Sequence, residues 1–225
     1  MRLAGYTVLS ALLSVPVLAQ TPLSVGDILK KVENTYASLT EWDFEATITS
    51  TLEPGGQSTR PQRTAGKGSS LRRMEMGDAN SGKILIVADS KNAWTYQAKP
   101  NQYTRKAQAP EPDETFSYFD IFLLEYRLGS ADESGARLLR EESIEVGNTK
   151  ADCYVIQFQS PDRPRFVSTW WVDKRRFLVL RDDQEGGPAP LVRSRTIWIR
   201  TQVDGVPDDL FRFTPPPGAK EQAAP

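Results

Sequence analysis

From Trp42 to Leu52 the chain alternates. Trp42, Phe44, Ala46, Ile48 and Leu52 fall on one parity, and Asp43, Glu45, Thr47, Thr49 and Thr51 on the other. Successive side chains of a strand point to opposite faces. This stretch therefore reads as a long strand with one face on an apolar surface and one in water. Pro54-Gly55-Gly56 breaks it. Similar patterns predict further strands at 64–76, 83–88, 92–97, 101–106, 137–147, 151–159, 165–173, 177–183, 190–203 and 210–214. Turn signals separate them, among them Asp89-Ser-Lys-Asn92, Gly147-Asn148 and Asp204-Gly205. Connections this short favour antiparallel neighbours.

Two helices interrupt the strands. Ser24-Val-Gly-Asp27 is a capping-box-like start, and Val25, Ile28, Leu29, Val32, Tyr36 and Leu39 follow at helical spacing. A second helical pattern, Phe116, Phe119, Phe122, Leu123 and Tyr126, runs from the Pro110–Asp113 breaker to Gly129. A sheet of some ten strands cannot stay flat, and it curls around its apolar side. The expected fold class is α+β: a single curved antiparallel sheet of about 10–11 strands, with helices covering the concave apolar face. The tail Leu210-Phe-Arg-Phe-Thr-Pro-Pro-Pro-Gly218 places Phe211 and Phe213 on one side of a period-2 segment that three prolines then stop. It reads as a closing strand docked on the sheet, with residues 221–225 as a disordered tail.

Arg2, an apolar run from Leu3 to Leu18 and small residues before Gln20 have the order of a signal peptide over residues 1–19. Cleavage leaves about 206 of the 225 residues, a single domain over 20–220 in a periplasmic or secreted chain. The single cysteine, Cys153, excludes an internal disulfide and reads as a buried structural thiol. A net charge of −1 gives no pull toward nucleic acid, and none is expected as a partner. Charge is nonetheless uneven: residues 111–145 carry ten acidic and three basic side chains, and 163–200 carry nine basic and four acidic. These are solvated faces of opposite sign, or a patch for a charged partner.

The residues offer little for catalysis. Histidine is absent, and with it the commonest general base and metal ligand. Gly77-Asp-Ala-Asn-Ser-Gly82-Lys83 has phosphate-loop spacing, but Ile84 stands where Ser or Thr is required and a strand follows, so it reads as a hairpin turn. Glu141-Glu142, Asp182-Asp183 and Asp208-Asp209 are adjacent pairs whose members point to opposite faces of a strand. No enzyme activity, cofactor or metal is expected. What remains is apolar surface, most of it core. Trp42, Phe44, Ile48, Trp94, Tyr96, Trp170, Trp198, Phe211 and Phe213 are the candidates for the concave face, with Trp170 rather than Trp171 facing inward.

The run Ile84-Leu-Ile-Val-Ala-Asp-Ser-Lys-Asn-Ala-Trp94-Thr-Tyr96, followed by Pro100-Asn101 and Tyr103, resembles the central hairpin of periplasmic lipoprotein carriers of the LolA/LolB type. Phe211-Arg-Phe213-Thr-Pro-Pro resembles that family's C-terminal signature, and the opening and mid-chain helices fall in the family's order across about 24–220. The resemblance implies an unclosed half-barrel whose helices form a lid over an apolar cavity. It implies a non-enzymatic, monomeric periplasmic carrier that binds lipoprotein acyl chains or lipid for transfer toward the outer membrane. Its partners would be an acylated lipoprotein or lipid, an inner-membrane transporter and an outer-membrane acceptor. The family's lid-latching arginine matches Arg73, with Arg72 nearly as good, although Met74 replaces the proline that follows it in the family. The implied ligand-binding set is Trp42, Phe44, Ile48, Arg73, Trp94, Tyr96, Phe119, Leu123, Trp170 and Trp198. The alternative is a sensor or interaction domain of the same fold that regulates an envelope or membrane partner.

Overall fold

The computed structural model describes residues 22–78, 82–107, 135–159, 165–186 and 191–223. The expected signal peptide, the mid-chain helix with Phe119 and Leu123, and the last two residues lie outside them. Helix α1 (Val25–Ala37) starts as its sequence predicts. Ser24 Oγ accepts from the Asp27 amide at 3.1 Å, and the Asp27 carboxylate accepts from the Ser24 amide at 3.2 Å. This reciprocal pair satisfies two amides that the first helical turn leaves without partners. The helix buries one stripe, Ile28, Leu29, Val32 and Tyr36.

Among the described residues, twelve strands form one sheet. They are β1 (Glu41–Glu53), β2 (Gln57–Lys67), β3 (Leu71–Met76), β4 (Ile84–Ala88), β5 (Asn92–Gln97), β6 (Gln102–Ala107), β7 (Ala136–Val146), β8 (Thr149–Gln159), β9 (Val167–Asp173), β10 (Val179–Gly186), β11 (Leu191–Gln202) and β12 (Lys220–Gln222). Their spatial order is β12-β6-β5-β4-β3-β2-β1-β11-β10-β9-β8-β7. Every pair is antiparallel except β12 on β6. The end strands β12 and β7 do not pair with each other, so the sheet is open, as the expected half-barrel requires. Among the described residues α1 is the one α-helix, so the expected cover of more than one helix is not seen there.

Three expectations differ from the structure. The stretch 64–76 is a hairpin rather than one strand: Gly68 adopts φ +58° in the turn between β2 and β3. Strand β2 also begins earlier, with an all-polar half containing Pro61. β3 pairs only with residues 62–67 of β2, so Pro61 sits just past the end of that ladder, where its carbonyl accepts from the Gly77 amide at 3.1 Å and its missing donor costs no ladder bond. The closing strand at 210–214 is not a strand. Asp208–Phe211 is a short 3-10 helix, and the segment after it crosses the sheet without pairing until β12. Residues 221 and 222, expected in a disordered tail, belong to β12 and lie opposite Tyr103 and Thr104.

Register divides the side chains of β1 and its neighbours into two faces. Trp42, Phe44, Ala46 and Ile48 share one with Gly66, Thr64, Gln62 and Arg60 of β2. Asp43, Glu45 and Thr47 share the other with Ala65, Arg63 and Pro61. On the Trp42 face, α1 packs against Trp42, Phe44, Ala46, Trp170, Ile156 and Trp198 in the main core. Burying each of these large side chains contributes about 2–3 kcal/mol, far more than the propensity of a thirteen-residue helix supplies. Tyr36 ties the helix down further: its hydroxyl accepts from the Val179 amide at 3.1 Å, and burial pushes its pKa up. A smaller core, Ala65, Val206 and Phe211 with Leu71 and Leu210, lies under the C-terminal segment.

Candidate functional site

The Trp42 face gathers five of the implied ligand-binding residues. Trp42, Phe44, Ile48, Trp170 and Trp198 are all buried, none more than 5% exposed. Trp198 meets Phe44 edge-on at 5.9 Å, and Trp170 packs on Phe158 at 4.4 Å between ring centroids. The face continues past the α1 core. Register places Met74 and Met76 of β3 and Ile84 and Ile86 of β4 on it. Met74 is buried, and Met76, Ile84 and Ile86 are half-buried.

Two adjacent arginines part company here. Arg72 lies on the Trp42 face with its guanidinium 4.9 Å from the Trp42 ring centroid, and its Nη1 donates to the carbonyls of Gly68 and Leu71 at 3.0 and 2.8 Å. A hollow of about 440 Å³ opens beside it, lined by Ala37, Leu39, Thr40, Trp42, Gly68 and Ser69. Arg73 points to the opposite face, where it pairs with Glu75 at 2.6 Å and donates to the Leu210 carbonyl at 2.8 Å. Burial alone would raise the Glu75 carboxyl, but Lys83 and Arg73 hold it below its usual range.

Trp94 and Tyr96 accompany Arg73 on that opposite face, because Trp94 pairs with Val87 and Val87 with Arg73. Phe213 of the C-terminal segment stacks on Trp94 at 5.8 Å and leans on Tyr96 and Tyr103 at 6.5 and 5.3 Å. Tyr96 donates to Asn101 Oδ1 at 3.0 Å, and Asn101 Nδ2 donates to the Pro217 carbonyl at 3.3 Å. The tail motif is thus a strap: Arg73 latches the chain at Leu210, Phe211 beside it fills the small core, and Phe213 covers the aromatic hairpin. Eight of the ten implied residues therefore divide between two faces of one sheet. Phe119 and Leu123 lie outside the described residues.

Toward the β8–β11 side, the Asp43 face forms a polar groove of about 640 Å³. Thr49 and Thr51 of β1, Thr169 of β9, Asp183 of β10 and Arg193 and Arg195 of β11 line it. Arg195 grips Asp183 through two hydrogen bonds of 2.9 Å, and Arg181 bonds the same carboxylate while stacking 3.9 Å from the Trp171 ring centroid. Burial opposes ionisation of Asp183, and the two guanidiniums hold its pKa below the usual range nonetheless. The Asp182-Asp183 pair splits as period 2 demands, with Asp182 opposite Trp170 and Asp183 opposite Thr169. Cys153 is fully buried, and burial pushes its thiol up to about 12. Ile84–Ala88 is a strand, as the hairpin reading of the phosphate-loop lookalike requires. Among the described residues no group of three or more His, Cys, Asp or Glu side chains could hold a metal ion. No helix among them is long and apolar enough to cross a membrane.

Sequence reasoning passed over Gln62 and Thr64. Both are buried on the Trp42 face, in a stretch whose polar composition and Pro61 conceal a strand. The available signal was the hairpin register, which carries the period of β1 across to β2.

No family model matches the chain. It is 26% identical over 207 residues to an uncharacterized protein of Methanocaldococcus jannaschii, a match covering 88% of this chain and 53% of that one. The chain thus spans about half the length of the curated relative it matches. Among solved structures it is similar to an uncharacterized conserved protein of Thermus thermophilus, at 17% identity and TM-score 0.48, covering 90% of this chain and all of the other. It is also similar to a LolA superfamily protein of Nitrosomonas europaea, at 14% identity and TM-score 0.38, covering 85% and 99% of the two chains. The family name borne by the latter is the one that the Trp94 hairpin and the Phe211 tail suggested, and the likeness is remote.

Proposed function

We propose that this chain is a non-enzymatic carrier of acyl chains, exported to the periplasm, which holds lipid or the acyl groups of a lipoprotein on the Trp42 face of its open sheet. One observation carries the reading: that face is wider than the helix packed on it. Ile48, Met74, Met76, Ile84 and Ile86 extend it beyond the α1 core, on a sheet whose end strands do not pair with each other. Each acyl CH₂ removed from water contributes about 0.8 kcal/mol, so a strip of this kind can hold a chain that water rejects. Trp42, Phe44, Trp170 and Trp198 then form the floor, Arg72 stands beside Trp42 for an anionic head, and Phe119 and Leu123 are the proposed cover. Arg73, Trp94 and Tyr96 serve by anchoring the tail strap on the other face. Release requires that the cover move, because a ligand held equally well in all states is never passed on.

The test is mass spectrometry of lipid extracted from the chain purified after export, together with titration of a fluorescent fatty-acid probe. Copurifying lipid and saturable probe binding are expected. Ile86→Gln, a polar change at a half-buried position, should weaken the probe about tenfold. A chain that carries no lipid and binds no probe would sink the proposal.

The polar groove favours a second reading, a regulatory domain that docks a polar segment of an envelope protein beside Arg193 and Arg195. Capture of one specific membrane protein, lost on Arg193→Glu and Arg195→Glu, would support it over the carrier.

A further inference from the structure

The apolar face carries a small polar island. Gln62 and Thr64 stand two residues apart on β2, so their side chains share a face. That face is the Trp42 face, because Gln62 lies opposite Ala46 and Thr64 opposite Phe44. On their other side the same two residues lie opposite Met76 and Met74. Trp198 completes the group: it lies opposite Ala46 on β11, so Gln62, Ala46 and Trp198 form one row across three strands. With strands roughly 5 Å apart, the Gln62 and Trp198 backbones are about 10 Å from each other, and the one side chain between them in that row is the small Ala46.

All three residues are at most 2% exposed. Yet Gln62 Nε2, Gln62 Oε1, Thr64 Oγ1 and Trp198 Nε1 have no hydrogen-bond partner among the described residues. Buried polar side chains are nearly always paired, because each unpaired group forfeits its bonds to water without replacement. Four such atoms stand in one patch among Phe44, Ala46, Met74 and Met76, whereas Arg72 and Asp182, charged side chains of the same face, have hydrogen-bond partners, a pattern that core packing does not need. Their inventory also specifies a ligand. Gln62 Nε2, Thr64 and Trp198 Nε1 offer donors, and Gln62 Oε1 and Thr64 offer acceptors. A plain hydrocarbon satisfies none of them. An ester satisfies only the donors. A secondary amide satisfies both, its carbonyl accepting and its N–H donating.

We infer that Gln62, Thr64 and Trp198 form a subsite for the amide of an N-acyl group, whose hydrocarbon tail lies along Ile48, Met74 and Ile86. This rests on the carrier reading and names the linkage that its cargo bears. The test uses three probes alike in chain and head hydroxyl: N-hexadecanoylethanolamine, 2-hydroxyethyl hexadecanoate and 2-(hexadecyloxy)ethanol, which present an amide, an ester and an ether. Each displaces the fluorescent fatty-acid probe from the full exported chain. The native chain should bind the amide about tenfold more tightly than the ether, with the ester between. Gln62→Leu and Thr64→Val should bring the three within about twofold of one another and leave ether affinity intact, because they remove the polar partners and keep the apolar wall. Both variants should melt no lower than the native chain, since each takes an unpaired polar group out of an apolar site. Equal binding of all three probes by the native chain, or a ranking that survives in both variants, would overturn the subsite alone. Failure to bind any of the three would overturn the carrier reading with it.

Discussion

Phe211→Ala is the sharpest test of the tail as a strap. Phe211 is 2% exposed and packs with Ala65, Val206, Leu71 and Leu210. Burying a phenylalanine contributes roughly 1.5–3 kcal/mol, and the void left on truncation raises the cost of Phe→Ala to about 3–5 kcal/mol. The segment is irregular and can partly close on the void, which points to the lower end, about 3 kcal/mol. Its remaining ties cannot make up the loss. Arg73 Nη1 to the Leu210 carbonyl at 2.8 Å and Lys67 Nζ to the Val206 carbonyl at 3.0 Å are worth about 1 kcal/mol each while the strap is docked. The assay is urea unfolding of the purified chain followed by tryptophan fluorescence, with Phe213→Ala alongside. Phe213 is half-buried against Trp94, Tyr96 and Tyr103, so its truncation should cost only about 1–2 kcal/mol. A loss below about 1 kcal/mol at Phe211, or a larger loss at Phe213 than at Phe211, would refute the strap.

Gly66→Ala should destabilise the chain by about 2 kcal/mol in the same assay, because an added Cβ would lie 2.7 Å from Trp42 Cε2 and closer still to Cη2 and Cζ2. Gly56→Ala, with nothing among the described residues within 4 Å of its Cβ, should be nearly neutral, and equal effects at the two sites would count against the Trp42 packing. Asp183 tests the polar groove through pH. Its folded pKa is depressed, so the stability it contributes is present above the unfolded carboxylate value of about 4 and is lost as pH falls through the folded value. Asp183→Asn should therefore be less stable than the native chain at neutral pH, with a gap that narrows below about pH 4. A gap constant with pH would mean that Arg181 and Arg195 do not hold the carboxylate as described.

Much of the sheet was legible because one side of each strand must be apolar. Trp42 through Ile48 announced β1, and Asp89 through Asn92 announced the turn between β4 and β5, where Asp89 Oδ1 accepts the amides of Lys91 and Asn92. Period 2 alone could not tell a strand from a strap. Phe211 and Phe213 point toward the sheet from a backbone that joins no ladder, and Pro207 with Asp208-Asp209 already favoured a helical turn there. The division of Arg73, Trp94 and Tyr96 from Trp42 and Trp170 was out of reach for a different reason. A shift of one residue in register moves a side chain to the other face, and register depends on turns such as Gly68-Ser69-Ser70 that a single sequence places only approximately.

The strand order makes the domain two zigzags stitched along one line. Strands β1–β6 each lie beside their sequence neighbours, as do β7–β11, and most of these pairings close short turns. Apart from the three-residue pairing of β12 on β6, only β1 on β11 among the described strands joins the halves, with Asp43 opposite Gln202 and Glu53 opposite Leu191. Hairpins with short turns form in microseconds, whereas this one pairing must bring together segments well over a hundred residues apart. The entropy of assembly is therefore concentrated largely in this long ladder, with the short β12 pairing adding the rest. That ladder holds Ala46 and Trp198, so the step that unites the sheet also completes the apolar floor.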